Sequence, residues 1–304
     1  MKISIIGSGK VGATLAYAAV MKGLVRQIVL VDAQAERAQG EALDILQCQA
    51  FTHQTKISYG SITDTANSDI VVITAGIPRR SGETRDMLMS KNAKLIADIV
   101  RQVADCSPQC ILFMVTNPLD VMTQLAYQIS GFPVARVIGM GTVLDTARYR
   151  AQIAAAFAVD ARDVDAYVIG EHGDSMTPVL SNIRVKGLPL SDMPDFSSKR
   201  LEKIAQEVIC AGKHVIELKG ATVYAPATSA CRVLEAIVHD SQAILPVCTF
   251  NERYNVCVSM PTIVDRKGAG KVFDLQLNPT EQEQFAKSIN SIRTSIRELN
   301  MLVK

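Results

Sequence analysis

A glycine-rich turn directly follows the first apolar segment of the chain. Lys2 to Ile6 has the composition of a buried strand, and Gly7-Ser-Gly-Lys-Val-Gly12 then leads into a helical pattern over about 13–23. Glycines at this spacing permit a tight strand-to-helix turn and let a phosphate approach the backbone closely. Because the same turn also occurs where no ligand binds, the glycines alone leave a plain turn open.

The first half of the chain alternates β-branched segments with helical ones, and a second helix is predicted over about 86–104. Further strands are predicted over Gln27–Val31, Ile70–Thr74, Ile111–Val115 and Arg136–Ile138. This alternation is typical of a doubly wound parallel sheet, so we predict an α/β fold with a Rossmann domain over residues 1–141.

The pattern changes after Gly141, and we predict an α+β catalytic domain over residues 142–304 that packs against the first. The predicted elements are a helix at about 142–157, strands near 164–185, two helices between 197 and 239, strands between 244 and 273 and a helix at about 280–302.

Asp32 strengthens the nucleotide prediction, because it ends the second predicted strand twenty positions after Gly12. A carboxylate there accepts hydrogen bonds from an adenosine ribose, whereas it would repel a 2′-phosphate. The sequence therefore predicts NAD as the cofactor, bound by Gly7, Gly9, Gly12 and Asp32. A turn-capping role is the alternative for Asp32.

Composition narrows the class of partner. The 304 residues carry a net charge of +2 without a basic run, which favours a small-molecule substrate over nucleic acid or a membrane surface. The apolar start turns to glycine after six residues, so we expect a cytoplasmic protein. Cys106 and Cys110 lack a second pair at zinc-site spacing, and no metal is expected.

Two arginines, Arg79 and Arg85, stand six residues apart in a short loop after the predicted strand that ends at Thr74. Arginine binds carboxylates through paired hydrogen bonds and stays charged near pH 7. The pair therefore suggests a small dicarboxylic acid as substrate, with two solvated loop charges as the alternative.

His172, within Gly170-Glu-His-Gly-Asp-Ser175, is the leading acid/base candidate, because histidine titrates near neutrality. Asp145 can orient the imidazole, as carboxylates do in hydrolase triads. Arg148 lies three positions after Asp145, on nearly the same face of a predicted helix.

Together these segments, with Thr116-Asn-Pro-Leu-Asp120, resemble the L-lactate/L-malate dehydrogenase family, in order from residue 1 to the last helix. The resemblance implies that His172 donates and accepts the proton with Asp145 as its partner, and that Arg148 binds the C1 carboxylate. Relatives are dimers or tetramers, so a homodimer or homotetramer is expected.

The same resemblance implies that Arg85 polarises the substrate carbonyl and that Arg79 binds the distal group of the substrate. Asn117 would contact both the nicotinamide and the substrate. Thr222 would line the substrate pocket, with a plain helix-interior role as the alternative.

Arg79 and Glu83 point to different substrates. Malate dehydrogenases resemble this chain in having arginine at 79, whereas Gly-Glu-Thr-Arg with Glu83 is more typical of lactate enzymes. We give Arg79 more weight, because leaving a substrate carboxylate unpaired in a closed site costs about 2–5 kcal/mol. The expectation is NAD-dependent malate dehydrogenase activity, a reaction of the tricarboxylic acid cycle.

The main alternative is an L-lactate or other 2-hydroxyacid dehydrogenase. An NAD-dependent glycoside hydrolase and a non-catalytic NAD-binding protein are more distant alternatives. Bacterial lactate dehydrogenases activated by fructose 1,6-bisphosphate resemble one another in pairing an arginine with a histidine at an anion site. This chain has Arg150 and Asp165 at those positions, so no activation is expected.

Overall fold

The structure is a computed structural model that describes residues 1–77 and 85–302, and the side chains of these residues except 85, 86, 88 and 302. The elements of the first half are β1 (Lys2–Ile6), α1 (Lys10–Met21), β2 (Gln27–Val31), α2 (Ala35–Gln47), β3 (Lys56–Gly60), β4 (Ile70–Ile73), α3 (Arg85–Cys106), β5 (Ile111–Met114), α4 (Leu119–Ser130) and β6 (Val137–Gly139).

The second half is richer in helix and contains several two-residue strands. Its elements are α5 (Val143–Phe157), β7 (Val164–Asp165), β8 (Val168–Ile169), β9 (Thr177–Pro178), β10 (Arg184–Val185), β11 (Leu188–Pro189), α6 (Ser198–Lys219), α7 (Tyr224–Val238), β12 (Ala243–Asn251), β13 (Val256–Asp265), β14 (Gly268–Val272) and α8 (Pro279–Leu302).

The main sheet has the order β14-β13-β12-β6-β5-β4-β1-β2-β3 among the described residues. The strands from β1 to β6 are parallel, while β12, β13 and β14 extend the sheet antiparallel. Strand order reverses between β1 and β4, the position at which doubly wound sheets bind nucleotides. The predicted α/β fold class, with a Rossmann doubly wound sheet followed by a second region of helices and antiparallel strands, is confirmed.

Continuous apolar segments explain why this sheet is buried on both faces. All four residues of β4 are buried, as is every residue of β5, which is typical of parallel strands covered by helices. Helix α1 packs against the sheet through Leu15, Ala16 and Val20, which are buried. The buried sheet fixes the carboxyl ends of β1, β2, β4 and β5 at one edge.

The sheet also crosses the predicted domain boundary near residue 141. Cys248 of β12 pairs with Gly139 of β6, so strands from the second half continue the sheet of the first. The sequence pattern did not predict this pairing, because β12 lies more than a hundred residues after β6 in the chain. The boundary itself stays a prediction.

In the part of the chain that the structure describes, no helix combines the length and the apolar character needed to cross a membrane.

Candidate active site

Three glycines shape the turn after β1. Gly7 has φ +105°, and a Cβ on it would lie 2.5 Å from the Ala75 nitrogen. A Cβ on Gly12 would lie 2.0 Å from the Gly7 carbonyl oxygen, so both positions exclude a side chain for packing reasons. A Cβ on Gly9 would instead have no atom of the described residues within 4 Å. Gly9 therefore borders open space, as a backbone that receives a phosphate must.

Asp32 is held in place at the end of β2. Its Oδ2 accepts a hydrogen bond from the Ser8 backbone N–H at 2.8 Å, and its Oδ1 accepts one from the Gln34 N–H at 2.9 Å. The Arg37 guanidinium lies 3.8 Å from Oδ1. A carboxylate fixed beside the glycine turn is suited to accept ribose hydroxyls, so the residues present fit an adenine dinucleotide.

His172, Asp145 and Arg148 form one connected group. The Nδ1 atom of His172 lies 2.6 Å from Asp145 Oδ2, and Arg148 donates a hydrogen bond to Asp145 Oδ1 at 3.0 Å. Asp145 is fully buried in the first turn of α5, whereas the side chains of His172 and Arg148 each keep 15% of their exposure. Each oxygen of the carboxylate thus holds one cationic partner, and both partners reach solvent.

These contacts set the charge state of the group. Burial alone would raise the pKa of Asp145, but the adjacent His172 and Arg148 lower it. Burial likewise disfavours the imidazolium, yet the Asp145 carboxylate outweighs this and raises the pKa of His172. With Asp145 bound to Nδ1, the other ring nitrogen, Nε2, is left to exchange a proton with a substrate.

The loop that carries His172 is anchored through three consecutive backbone N–H groups. Gly170 donates to the Ser259 carbonyl of β13 at 2.9 Å, and Glu171 donates to Ser288 Oγ of α8 at 2.6 Å. His172 donates to Asp120 Oδ2 of α4 at 2.8 Å. Acceptors from three elements therefore fix the position of the imidazole.

Asp120 and Ser288 were not predicted as site residues. Asp120 lies within the Thr116–Asp120 segment, but its partner is a backbone N–H 52 residues away. Ser288 lies on the last helix, where the sequence shows only a polar residue among helical positions. No signal in the sequence marks Ser288. For Asp120, the available signal was its place in Thr116–Asp120, one of the segments that carry the family resemblance.

The remaining predicted residues are not brought together by any described contact. Arg79 lies outside the described residues, and Arg85 is the first residue of α3, with a side chain that is not described. Asn117 is exposed between β5 and α4. Thr222 is half-buried between α6 and α7, so the alternative of a helix-interior role is wrong.

Helix α6 lies close to the Arg148 guanidinium. A Cβ added to Gly212 would lie 3.4 Å from both terminal nitrogens of Arg148. Both α6 and Asp145 therefore border the guanidinium.

Both halves of the chain match family models. Residues 1–139 match the model described as lactate/malate dehydrogenase, NAD binding domain. Residues 142–302 match the model described as lactate/malate dehydrogenase, alpha/beta C-terminal domain.

Individual relatives cover nearly the whole chain. An L-lactate dehydrogenase of Clostridium perfringens is 42% identical over 306 residues, covering 97% of this chain and 96% of the relative. The minor L-lactate dehydrogenase of Enterococcus mundtii has a similar structure, with a TM-score of 0.95, 34% identity and 97% coverage of each chain. Malate dehydrogenase from Salinibacter ruber has a TM-score of 0.92 at 33% identity, covering 99% of this chain and 98% of its own.

These findings contradict the expectation of malate dehydrogenase activity and of a place in the tricarboxylic acid cycle. Relatives at 38–42% identity are named L-lactate dehydrogenase, which supports the alternative. The wrong expectation began from the pair Arg79 and Arg85 and gave Arg79 the deciding weight. A long arginine side chain can extend its charge into water, so its position in a loop does not establish a substrate contact. Glu83, typical of lactate enzymes, was the better indicator.

Proposed function

This chain belongs to the lactate/malate dehydrogenase family of NAD-dependent enzymes that act on a CH–OH group, and we propose that it interconverts pyruvate and L-lactate. The observation that carries the proposal is the buried Asp145 carboxylate, which holds His172 on one oxygen and Arg148 on the other. That arrangement places a proton donor beside a carboxylate-binding cation, in a chain whose relatives include L-lactate dehydrogenases.

Substrate binding depends on Arg148 in this proposal. Its hydrogen bond to Asp145 occupies one of five N–H donors, which leaves donors for both oxygens of a substrate carboxylate. Because the guanidinium is held by Asp145 and bordered by α6, the carboxylate would be bound in one orientation. Thr222, at the turn between α6 and α7, would line the same pocket.

Proton transfer depends on His172. In pyruvate reduction, Nε2–H donates a proton to the carbonyl oxygen of the substrate, and the neutral ring takes that proton back in lactate oxidation. Asp145 stabilises the imidazolium and keeps the Nδ1 atom from competing. Arg85 would stabilise the negative charge that develops on the carbonyl oxygen.

NAD would be held by the glycine turn and Asp32, with Asn117 beside the nicotinamide. NADH, when bound, supplies the hydride that reduces C2 of pyruvate. The chain itself would fix the adenosine through the carboxylate of Asp32 and would receive the pyrophosphate against Gly9, where the backbone borders open space.

Pyruvate and lactate each carry one carboxylate, and that group is assigned to Arg148. Neither molecule has a distal carboxylate for Arg79 to bind. A cytoplasmic location and assembly into a homodimer or homotetramer stay predictions.

The test is a comparison of 2-oxo acids with the purified protein and NADH. We expect kcat/KM for pyruvate to exceed that for oxaloacetate by at least about tenfold, a difference of about 1.4 kcal/mol in transition-state binding. The product should be L-lactate, measured with an enantiomer-specific assay.

Two outcomes would contradict the proposal. A preference for a longer 2-oxo acid over pyruvate would keep the reaction type and overturn the substrate. No turnover of any 2-oxo acid, by a folded protein that binds NADH, would overturn the reaction itself. His172→Asn serves as the inactive control for background reduction.

A further inference from the structure

A cavity of about 620 Å³, called the α8 cavity below, lies between α8, β13 and the segment that joins β14 to α8. None of the residues that line it belongs to the candidate active site. Its buried lining side chains are all apolar, namely Ile169, Met260, Phe285 and Ile289. A cavity of this size with an apolar interior is typical of small-molecule binding sites.

Three charged residues line the α8 cavity, and together they leave one positive charge unbalanced. Arg253 and Asp274 are both exposed, and their side chains approach to 3.6 Å. Arg293 is half-buried and donates a hydrogen bond to the Tyr254 carbonyl oxygen at 2.8 Å, with no carboxylate within 4 Å among the described residues. Its other N–H donors are left for a ligand, so the charge of the cavity suits a monoanion.

The buried interior determines the rest of the ligand. Because its side chains have no hydrogen-bonding groups apart from the weakly accepting Met260 sulfur, a polar substituent placed there would lose water without gaining a partner. A hydrocarbon chain would lose nothing of this kind, and its burial is favourable. The cavity therefore suits an apolar tail with one carboxylate at its end.

One wall of the α8 cavity is held in place by hydrogen bonds. Leu275 and Leu277 line this wall, on the segment between β14 and α8. The Asn182 side chain donates to the Gln276 carbonyl oxygen at 2.7 Å, and the Gln282 side chain donates to that of Leu277 at 2.8 Å. A wall fixed at two successive residues keeps the cavity preformed, which lowers the entropic cost of binding.

We propose that the α8 cavity binds a medium-chain fatty acid, with the carboxylate on Arg293 and the hydrocarbon tail on the buried apolar side chains. This binding site goes beyond the proposed function and does not depend on which 2-oxo acid the protein reduces.

The interior of the α8 cavity is continuous in the chain with the anchors of the His172 loop. Ile169 directly precedes Gly170, whose N–H donates to the Ser259 carbonyl oxygen at 2.9 Å. Met260 directly follows Ser259. A tail that packs on Ile169 and Met260 therefore contacts the neighbours of both partners in this hydrogen bond.

Helix α8 makes a second connection of the same kind. Ile289 directly follows Ser288, whose Oγ accepts the Glu171 N–H at 2.6 Å. Both anchoring hydrogen bonds already have near-optimal lengths, so a shift of the side chains beside them lengthens the bonds. Binding in the α8 cavity should therefore disturb the loop of His172 and lower kcat.

Calorimetry with octanoate tests the site without substrate or cofactor. We expect one site per chain with a Kd of about 1 mM or tighter. Acetate carries the charge without the tail, and 1-octanol carries the tail without the charge. Each should bind at least about tenfold more weakly than octanoate, and affinity of either one equal to that of octanoate would overturn the proposal.

Two substitutions locate the bound octanoate. Arg293→Gln removes the cation, and Ala286→Phe places a ring in the cavity from an exposed position, so neither changes the buried core. Each should weaken octanoate binding by at least about tenfold. Arg297→Gln, an exposed position one turn further along α8, is the charge-matched control and should bind like wild type.

Unchanged octanoate affinity in both Arg293→Gln and Ala286→Phe would overturn the proposal. Octanoate held by Arg148 in the active site would give that result, because neither substitution reaches Arg148. A Tm near that of wild type shows that each variant is folded when its affinity is measured.

The connection to the loop is tested by NMR with isotope-labelled histidine. The chain has four histidines, and the amide signal of His172 is assigned with His172→Asn. Octanoate should shift this signal in wild type and in Arg297→Gln, but not in Arg293→Gln. An unmoved His172 signal in protein that binds octanoate would overturn the connection.

Kinetics give a second measurement of the connection. At saturating pyruvate, octanoate should lower kcat by about twofold or more in wild type and leave kcat of Arg293→Gln unchanged. A rise in KM alone would mean competition at the active site and would overturn the connection. If wild-type protein does not reduce pyruvate, the proposed function fails, while calorimetry and the His172 signal still test the α8 cavity.

Discussion

Asp145 Oδ2 lies 2.6 Å from His172 Nδ1, and the carboxylate is fully removed from solvent. Because water does not reach the Asp145 carboxylate, its charge is balanced at short range by its two cationic partners, His172 and Arg148. Breaking such a buried pair by removing one charge is strongly unfavourable, typically by about 3–5 kcal/mol.

Asp145→Asn should therefore lower kcat/KM for pyruvate reduction and for lactate oxidation. We expect a loss of about two to four powers of ten, because the amide neither stabilises the imidazolium nor selects the productive tautomer. The measurement is steady-state kinetics in both directions. Asp163→Asn, which removes a half-buried partner of the exposed Lys186, is the control and should stay near wild type. Activity of Asp145→Asn within about threefold of wild type would contradict the assigned role.

The two directions should depend on pH with opposite sign. The net effect of its surroundings raises the pKa of His172, so the imidazolium persists to higher pH than for a free histidine. Pyruvate reduction needs this protonated form and should decline as pH rises through the raised pKa. Lactate oxidation needs the neutral ring and should decline as pH falls through it.

Profiles of kcat/KM against pH in each direction measure this prediction. The two declines should share one ionisation, which belongs to the free enzyme. If both directions decline on the same side of neutrality, a group other than His172 controls proton transfer.

Cofactor choice should follow Asp32. The carboxylate accepts two backbone N–H groups and cannot turn away from a 2′-phosphate, so NADH should be preferred over NADPH. Asp32→Ser removes the repulsion, and we expect the NADH/NADPH ratio of kcat/KM to fall by about tenfold or more. Glu36→Gln, in the first turn of α2, is a charge-matched control that should keep the preference. An unchanged ratio in Asp32→Ser would place that residue outside the adenosine site.

Much of the fold and part of the site could be predicted from sequence, for identifiable physical reasons. The glycine turn, Asp32 and the buried strands are local patterns, in which neighbours along the chain are also neighbours in space. The helix carrying Asp145 and Arg148 is local in the same way. The hydrophobic periodicity and the residue spacing of the sequence reflect these local relationships directly, and the structure agrees with them.

Relationships between distant segments could not be predicted in this way. Asp120 meets the backbone N–H of His172, and Ser288 meets that of Glu171, although neither contact leaves a periodic pattern. A backbone donor is the same for every residue type, so sequence does not mark it. The substrate prediction was wrong for a related reason. It paired Arg79 with the distal group of a substrate, and sequence alone cannot show that those two groups meet.

A bisphosphate should not activate this protein. Arg150 and Asp165 line one cavity of about 520 Å³, which Lys22, Arg162 and Arg232 also line, so Asp165 places a negative charge in the cavity that a phosphate group would have to enter. We expect KM for pyruvate to be unchanged by millimolar fructose 1,6-bisphosphate. Asp165→His would remove the negative charge and should increase binding of the anion, measured by calorimetry, with Asp163→Asn as the control. A several-fold fall in the wild-type KM would contradict the prediction.

Two glycines of the turn after β1 should fail in different ways when each is changed to alanine. A Cβ on Gly12 would lie 2.0 Å from the Gly7 carbonyl oxygen, so Gly12→Ala must displace backbone and should destabilise the protein by at least about 1 kcal/mol. A Cβ on Gly9 meets no atom of the described residues within 4 Å, and Gly9 has extended backbone at φ −75°. Gly9→Ala should therefore keep the wild-type Tm.

Gly9→Ala should nevertheless weaken NADH binding, because its methyl group would occupy the space through which a pyrophosphate reaches the backbone. We expect Kd for NADH to rise by about tenfold or more, measured by fluorescence titration alongside thermal unfolding. Normal NADH affinity in a stable Gly9→Ala protein would mean that the open space beside Gly9 is not the pyrophosphate site. A lowered Tm would mean instead that Gly9 serves packing, as Gly12 does.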